Sequence, residues 1–139
     1  SDYIDQLELL LLGKEYEFLA DLNFATLKFG LDALGLSLPI WVASNFEFEG
    51  KKSDLVLDMC VKLGAKDYVF GALGQDYADQ ESFLEKDVTP HFQSYTHPIY
   101  PQLHGEFEPY MSIIDLLFNV GPDSLSTLMS GNVSNIHTG

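Results

Sequence analysis

Apolar positions along this chain fall into blocks, and the period within each block predicts an element. Residues 3–12 are apolar and helix-permitting, and Gly13 closes them. A longer helix is predicted over about 16–34, ended by Gly35. Its polar residues Glu17, Asp21, Lys28 and Asp32 share one narrow stripe, while Phe18, Leu19, Leu22, Phe24, Leu27, Phe29 and Leu31 fill the rest. A helix with so narrow a polar stripe needs neighbours on several sides. A small domain supplies them poorly, so we expect this helix to meet another subunit or a missing segment.

The stretch LPIWVAS (38–44) reads as a buried strand, with Pro39 at its start, where a missing donor costs least. Ser53 is placed to cap a helix running to about Leu63, which Gly64 ends. Leu55, Val56, Met59, Cys60 and Leu63 form its apolar face. KDYVF (66–70) is then a second strand. Strand, helix, glycine and strand make a βαβ unit, so strands at 38–43 and 67–70 should be parallel, with a right-handed crossover through 53–63. A shorter helix around 79–86 and a strand around 88–94 extend the pattern. SIIDLLFNVG (112–121) and Ser124–Met129 are predicted helices. The expectation is one small α/β domain over 1–131, two- or three-layered, with a short, mainly parallel sheet and flanking helices. Residues 132–139 have no period and are expected to fray.

Composition narrows the functions this fold can serve. With 46 % hydrophobic residues in 139, the chain has material for a real core. Its net charge of −14 argues against a nucleic acid or an anionic membrane surface as partner. It leaves room for a small polar or anionic ligand in a local pocket. No apolar run approaches a bilayer span and no signal-like start is present, so a cytoplasmic location is expected. Cys60 is the single cysteine, which rules out an internal disulfide, and its place on the apolar face of 53–63 makes it a core residue.

Candidate chemistry concentrates in HPIYPQLHGEFEP (97–109), which holds three of the six prolines and two of the four histidines. Proline removes amide donors and restricts the preceding residue, so this is a stiff loop. Such loops either connect or carry function. His97, His104, Glu106 and Glu108 lack the spacing of a metal site, and no metal or cofactor is implied. A His–Glu acid–base pair fits better, because imidazole titrates near neutrality and a carboxylate can orient it. FGALGQ (70–75) puts Gly71 and Gly74 between a strand and a helix; it is either a plain turn or a contact for a phosphate or carboxylate. Ser112 and Asp115 have capping-box spacing, and Asn119 precedes the helix-ending Gly121-Pro122.

HPIYPQLHGEFEPYMSIIDLLFNVGPDSL (97–125) resembles the C-terminal signature of the WbqC-like family. GALGQDY (71–77) is similar, more loosely, to another segment of that family, keeping Gly71, Gly74 and Tyr77. Tyr110 stands where the family usually has Asn, and the family's N-terminal half has no counterpart here. The chain therefore resembles the C-terminal part of a member, as a fragment or as a short variant completed by oligomerising. The resemblance implies a bacterial protein of O-antigen, lipopolysaccharide or related sugar biosynthesis. Acyl or aminoacyl transfer to an amino sugar is one reaction it implies, and a non-catalytic module binding a sugar nucleotide or a protein is the alternative. By matched position it makes His97, Tyr100, Gln102, Glu106, Asp115 and Asn119 the polar candidates, beside Gly71, Gly74 and Tyr77. His97 is the expected acid–base group, with Glu106 orienting it or acting in its place, in a cleft shared with the 71–77 loop.

Overall fold

In the computed structural model of the chain, residues 2–132 are described. The elements are α1 (Asp2–Leu12), α2 (Leu19–Ala33), α3 (Ser53–Leu63), β1 (Asp67–Phe70), α4 (Gln80–Glu85), β2 (Thr89–Phe92), α5 (Ile113–Val120) and α6 (Ser124–Ser130). Short 3₁₀ turns lie at Ala43–Asn45, Ala72–Asp76 and Gly121–Asp123. Helices plus one short parallel sheet make this a small α/β protein. No described helix is long and apolar enough to cross a membrane. The residues expected to fray lie, from 133 onward, outside the described residues.

Two compact units form, one from the segments up to Pro39 and His97–Gly131, the other from Ile40–Thr96 with Asn132. In the second unit β1 and β2 pair in parallel, with Asp67 opposite Thr89 and Phe70 opposite Phe92. Alternation sends Tyr68, Phe70 and Phe92 to one face, where Phe70, Phe83, Val88 and Cys60 make a buried cluster with Val56, Leu57, Ala65 and Ala78 around it. Burial raises the pKa of the Cys60 thiol, which keeps it an inert core group.

The βαβ unit lies one step later than the sequence predicts. Residues 38–43 pair with no strand among the described residues, and the parallel partners are β1 and β2, with α4 between them. Leu38, Ile40, Trp41 and Val42 are exposed, with Trp41 62 % accessible. An apolar β-prone run becomes a strand only if a sheet edge meets its amides, and periodicity carries no information about that edge. The helix expected from 38–43 to 67–70 does form at 53–63, and Gly64 ends it in the left-handed conformation. Ser53, however, does not cap it. Lys52 takes the capping position at a φ of 51°, and the buried Ser53 hydroxyl accepts from the Asp79 amide at 2.9 Å. Asp79 in turn caps α4, accepting from the Ser82 amide and hydroxyl.

The first unit packs α2 against both α1 and α5. α2 meets α5 at Gly30, where a Cβ would make an ordinary van der Waals contact with Ile113 Cγ2 at 3.6 Å. Phe29, Tyr100, Leu116 and Leu117 are its buried hydrophobic residues. α5 carries mostly apolar residues on its inner face, and the buried Ser124 hydroxyl donates to the Gly121 carbonyl at 2.6 Å at its exit. α2 leaves Leu19, Phe24 and Leu27 exposed, as its narrow polar stripe implies.

Candidate functional site

The loop between β2 and α5 contains no helix or strand from His97 to Ser112, yet it is ordered by its own side chains. His97 lies beside Tyr100, Phe107 and Tyr110, with ring centroids 6.2, 5.8 and 5.1 Å away. Tyr100 also meets Phe107 edge-on at 5.3 Å. Each ring nitrogen of His97 has a backbone partner. Nδ1–H donates to the Pro98 carbonyl at 2.8 Å, and Nε2 accepts from the Tyr110 amide at 3.2 Å. That pattern belongs to the neutral tautomer protonated on Nδ1. It makes His97 a brace across the loop's two ends.

Gln102 closes the loop from the other side. Its Nε2 donates to the Glu108 carbonyl at 3.0 Å and its Oε1 accepts from the Glu108 amide at 2.8 Å, so one side-chain amide replaces a strand neighbour. The chain between them reverses through Gly105 at a φ of +71°, a conformation that costs a side-chain-bearing residue and costs glycine nothing.

Asp115, in the first turn of α5, is the centre to which these groups converge. Its Oδ2 accepts from the Tyr100 hydroxyl at 2.8 Å and from Gln102 Nε2 at 2.9 Å. Its Oδ1 accepts from Asn119 Nδ2 at 3.0 Å, and Asn119 also donates to the Asp115 carbonyl at 2.8 Å. A carboxylate offers about four acceptor positions. Three are occupied by side chains that hold its plane fixed, and the residue keeps part of its surface in contact with solvent. Half of the capping-box expectation holds: Ser112 Oγ accepts from the Ile114 amide at 3.3 Å. The other half does not, because the Asp115 carboxylate faces the loop instead of reaching back to the Ser112 amide. Tyr100, lying 15 residues earlier, supplies a charge-assisted bond that a local spacing rule does not contain.

Thus the structure brings together four of the polar candidates, Tyr100, Gln102, Asp115 and Asn119, and places His97 beside Tyr100 through its ring. Glu106 is exposed, and the ring nitrogens of His97 are directed at backbone groups, so the expected His97–Glu106 orientation is not how His97 is held. Glu108 contributes its backbone, and His104 is exposed. No three His, Cys, Asp or Glu side chains gather as metal ligands among the described residues. Sequence reasoning missed Phe107 and Tyr110, which wall His97. The recurrence of aromatic residues at Tyr100, Phe107 and Tyr110 within one short loop was the available signal.

Gly71, Gly74 and Tyr77 belong to the second unit and form a turn there. Gly74 is buried, and a Cβ on it would overlap the Phe70 Cβ, so glycine is required by close packing. Its amide donates to the Gly71 carbonyl at 2.8 Å, and its carbonyl accepts from the Tyr77 and Ala78 amides. The Gly74 amide is therefore spent inside the turn. Tyr77 is half-exposed and touches Phe70 edge-on at 5.9 Å. The same unit holds a cross-strand pair not anticipated from the sequence, His91 Nε2 and Asp67 Oδ1 at 2.8 Å, created by the parallel register.

Electrostatics separate the two units. From His97 to Gly131 the sequence has no Lys or Arg, while Glu106, Glu108, Asp115 and Asp123 lie within it. The first unit's lysines are Lys14, which sits over the Tyr16 ring at 5.0 Å, and Lys28 on α2. The loop and α5 thus form an aromatic, anionic segment held by its own hydrogen bonds.

A protein of Mycobacterium tuberculosis called "Uncharacterized protein Rv1507c" is 30 % identical over 125 residues, which are 89 % of this chain and 54 % of that protein. The chain so spans about half the length of the curated relative it matches. No solved structure matches it significantly. The WbqC-like protein family matches over residues 1–127, which contain α1 to α5, the 97–112 loop and the whole Asp115 network. On that match, this chain belongs to the WbqC-like protein family.

Proposed function

We propose that this chain acts in the biosynthesis of bacterial surface polysaccharide, in the cytoplasm, by holding an amino sugar of the O-antigen or lipopolysaccharide class on its 97–119 segment. Family membership and the signature at 97–125 support the setting. The observation that carries the ligand class is the Asp115 carboxylate, fixed by Tyr100, Gln102 and Asn119 in a segment without Lys or Arg. A held carboxylate on a partly exposed residue favours a protonated amine, and the surrounding acids disfavour phosphate. A sugar nucleotide would therefore present its sugar, not its diphosphate, to this segment.

The reaction this reading calls for is acyl or aminoacyl transfer. The bound ammonium group first gives one proton to a base; the free amine then attacks the carbonyl carbon of an activated acyl donor, a C–N bond forms as the bond from that carbon to the leaving group breaks, and the nitrogen's second proton goes to the departing group. Glu106, exposed on the same loop, is the available base. The second reading, a non-catalytic binding module, is favoured by one observation: both ring nitrogens of His97 already serve the backbone.

The test titrates the chain with D-glucosamine, D-glucose and inorganic phosphate by NMR, then incubates it with a UDP-linked amino sugar and an acyl-thioester while product mass is followed. Preference for glucosamine over both other probes is expected. N-acylated product makes the chain a transferase; binding without product makes it a module. Equal response to glucose, or a preference for phosphate, refutes the amino-sugar reading.

A further inference from the structure

Tyr110 combines two features that the fold gains little from. Its backbone lies at a φ of +62°, in the left-handed region, where a bulky aromatic residue is an outlier and Asn, Asp or Gly is at ease. Its side chain is 82 % exposed, so burial returns little for that strain. The conformation is nevertheless held. The Tyr110 amide donates to His97 Nε2 at 3.2 Å, His97 Nδ1–H is anchored on the Pro98 carbonyl at 2.8 Å, and the His97 ring meets the Tyr110 ring at 73° with 5.1 Å between centroids. One edge of the phenol ring is thereby steadied and the rest is presented to solvent. Strain that surrounding structure maintains at an exposed residue points to use of that residue by a ligand.

We infer that Tyr110 is the stacking platform for the pyranose ring of the ligand, with His97 as its positioning residue; this rests on the amino-sugar reading above. An aromatic face attracts the C–H face of a sugar and the charge of an ammonium group carried on it. The only formal charges of side chains in the 97–112 loop are the carboxylates of Glu106 and Glu108, which favour the same cation. Holding the ring before the ligand arrives removes its ordering cost from the binding step. The brace formed by His97 then has a purpose beyond closing the loop: it aims this ring.

The inference is tested with the whole chain as wild type, Tyr110→Phe and Tyr110→Asn, titrated with D-glucosamine by NMR and unfolded in urea. Tyr110→Phe should bind as wild type does, since the ring face is kept. Tyr110→Asn should weaken glucosamine binding about fivefold, the size of one exposed cation–π contact. Its urea midpoint should rise, because Asn accepts a positive φ at lower cost. Undiminished binding by Tyr110→Asn overturns the inference and leaves the amino-sugar reading standing. A lowered midpoint also overturns it, since the ring would then serve the fold. Failure of wild type to bind glucosamine overturns the amino-sugar reading and the inference with it.

Discussion

Replacing Asp115 by Ala separates two accounts of this residue by their magnitudes. If Asp115 only favours the start of α5, its loss and that of Ser112 should cost similar amounts, each about 1 kcal/mol or less. The structure requires more. Truncation leaves the hydroxyl of the buried Tyr100 without its carboxylate acceptor, which costs about 1–3 kcal/mol. Gln102 and Asn119 each lose a charged acceptor and keep a backbone one, the Glu108 and Asp115 carbonyls, so each adds about 0.5–1 kcal/mol. The sum for Asp115→Ala is about 2–5 kcal/mol, against about 1 for Ser112→Ala, whose bond is long at 3.3 Å. Asp115→Asn should also exceed the capping value, because its NH₂ group would face side chains that themselves donate. Urea unfolding followed by circular dichroism measures these differences. Tyr100→Phe removes that hydroxyl in advance, so in that background Asp115→Ala should become cheaper by about 1–2 kcal/mol. Equal costs for Asp115→Ala and Ser112→Ala, or additivity with Tyr100→Phe, would refute the network.

Three further outcomes follow from other parts of the molecule. Gly74→Ala should destabilise the second unit by about 1–3 kcal/mol through overpacking against Phe70, read by urea unfolding, while Gly71→Ala, where a Cβ would meet nothing within 4 Å, should be nearly neutral. The Asp58 carboxyl is held below its ordinary range by the Glu49 amide and by Lys62, and that of Asp79 by the Ser82 hydroxyl and amide. Because these folded values are depressed, the stability they contribute is present above the unfolded carboxylate value near pH 4 and lost as pH falls through the folded one; Asp58→Asn should be less stable than wild type at neutral pH and converge with it in acid. The exposed Leu19, Phe24 and Leu27 on α2 should drive self-association, so sedimentation should show a concentration-dependent dimer that Leu27→Glu abolishes, and a monomer at every concentration would count against it.

Helix positions were legible because a helix closes its hydrogen bonds within its own segment, so its period is a local fact. The stretch 53–63 with its terminal Gly64 and the two helices around Gly121 illustrate this. That 38–43 would not form a strand was not legible, because strand formation is a property of two segments, and LPIWVAS carries no record of whether a partner edge is present. The stiffness of 97–109 was visible in its prolines, and the chemistry of its residues in their identities. What the loop does with them was not visible. The Tyr100 and Gln102 bonds to Asp115 span 15 and 13 residues, and the His97–Tyr110 bond spans 13. Those separations are closed where α5 packs on α2 and Tyr100 is buried. Sequence thus determined which groups are available and where the chain is stiff; tertiary packing decided that His97 would brace Tyr110 and that Asp115 would gather three donors, because contacts between distant residues form only where the core brings them within bonding range.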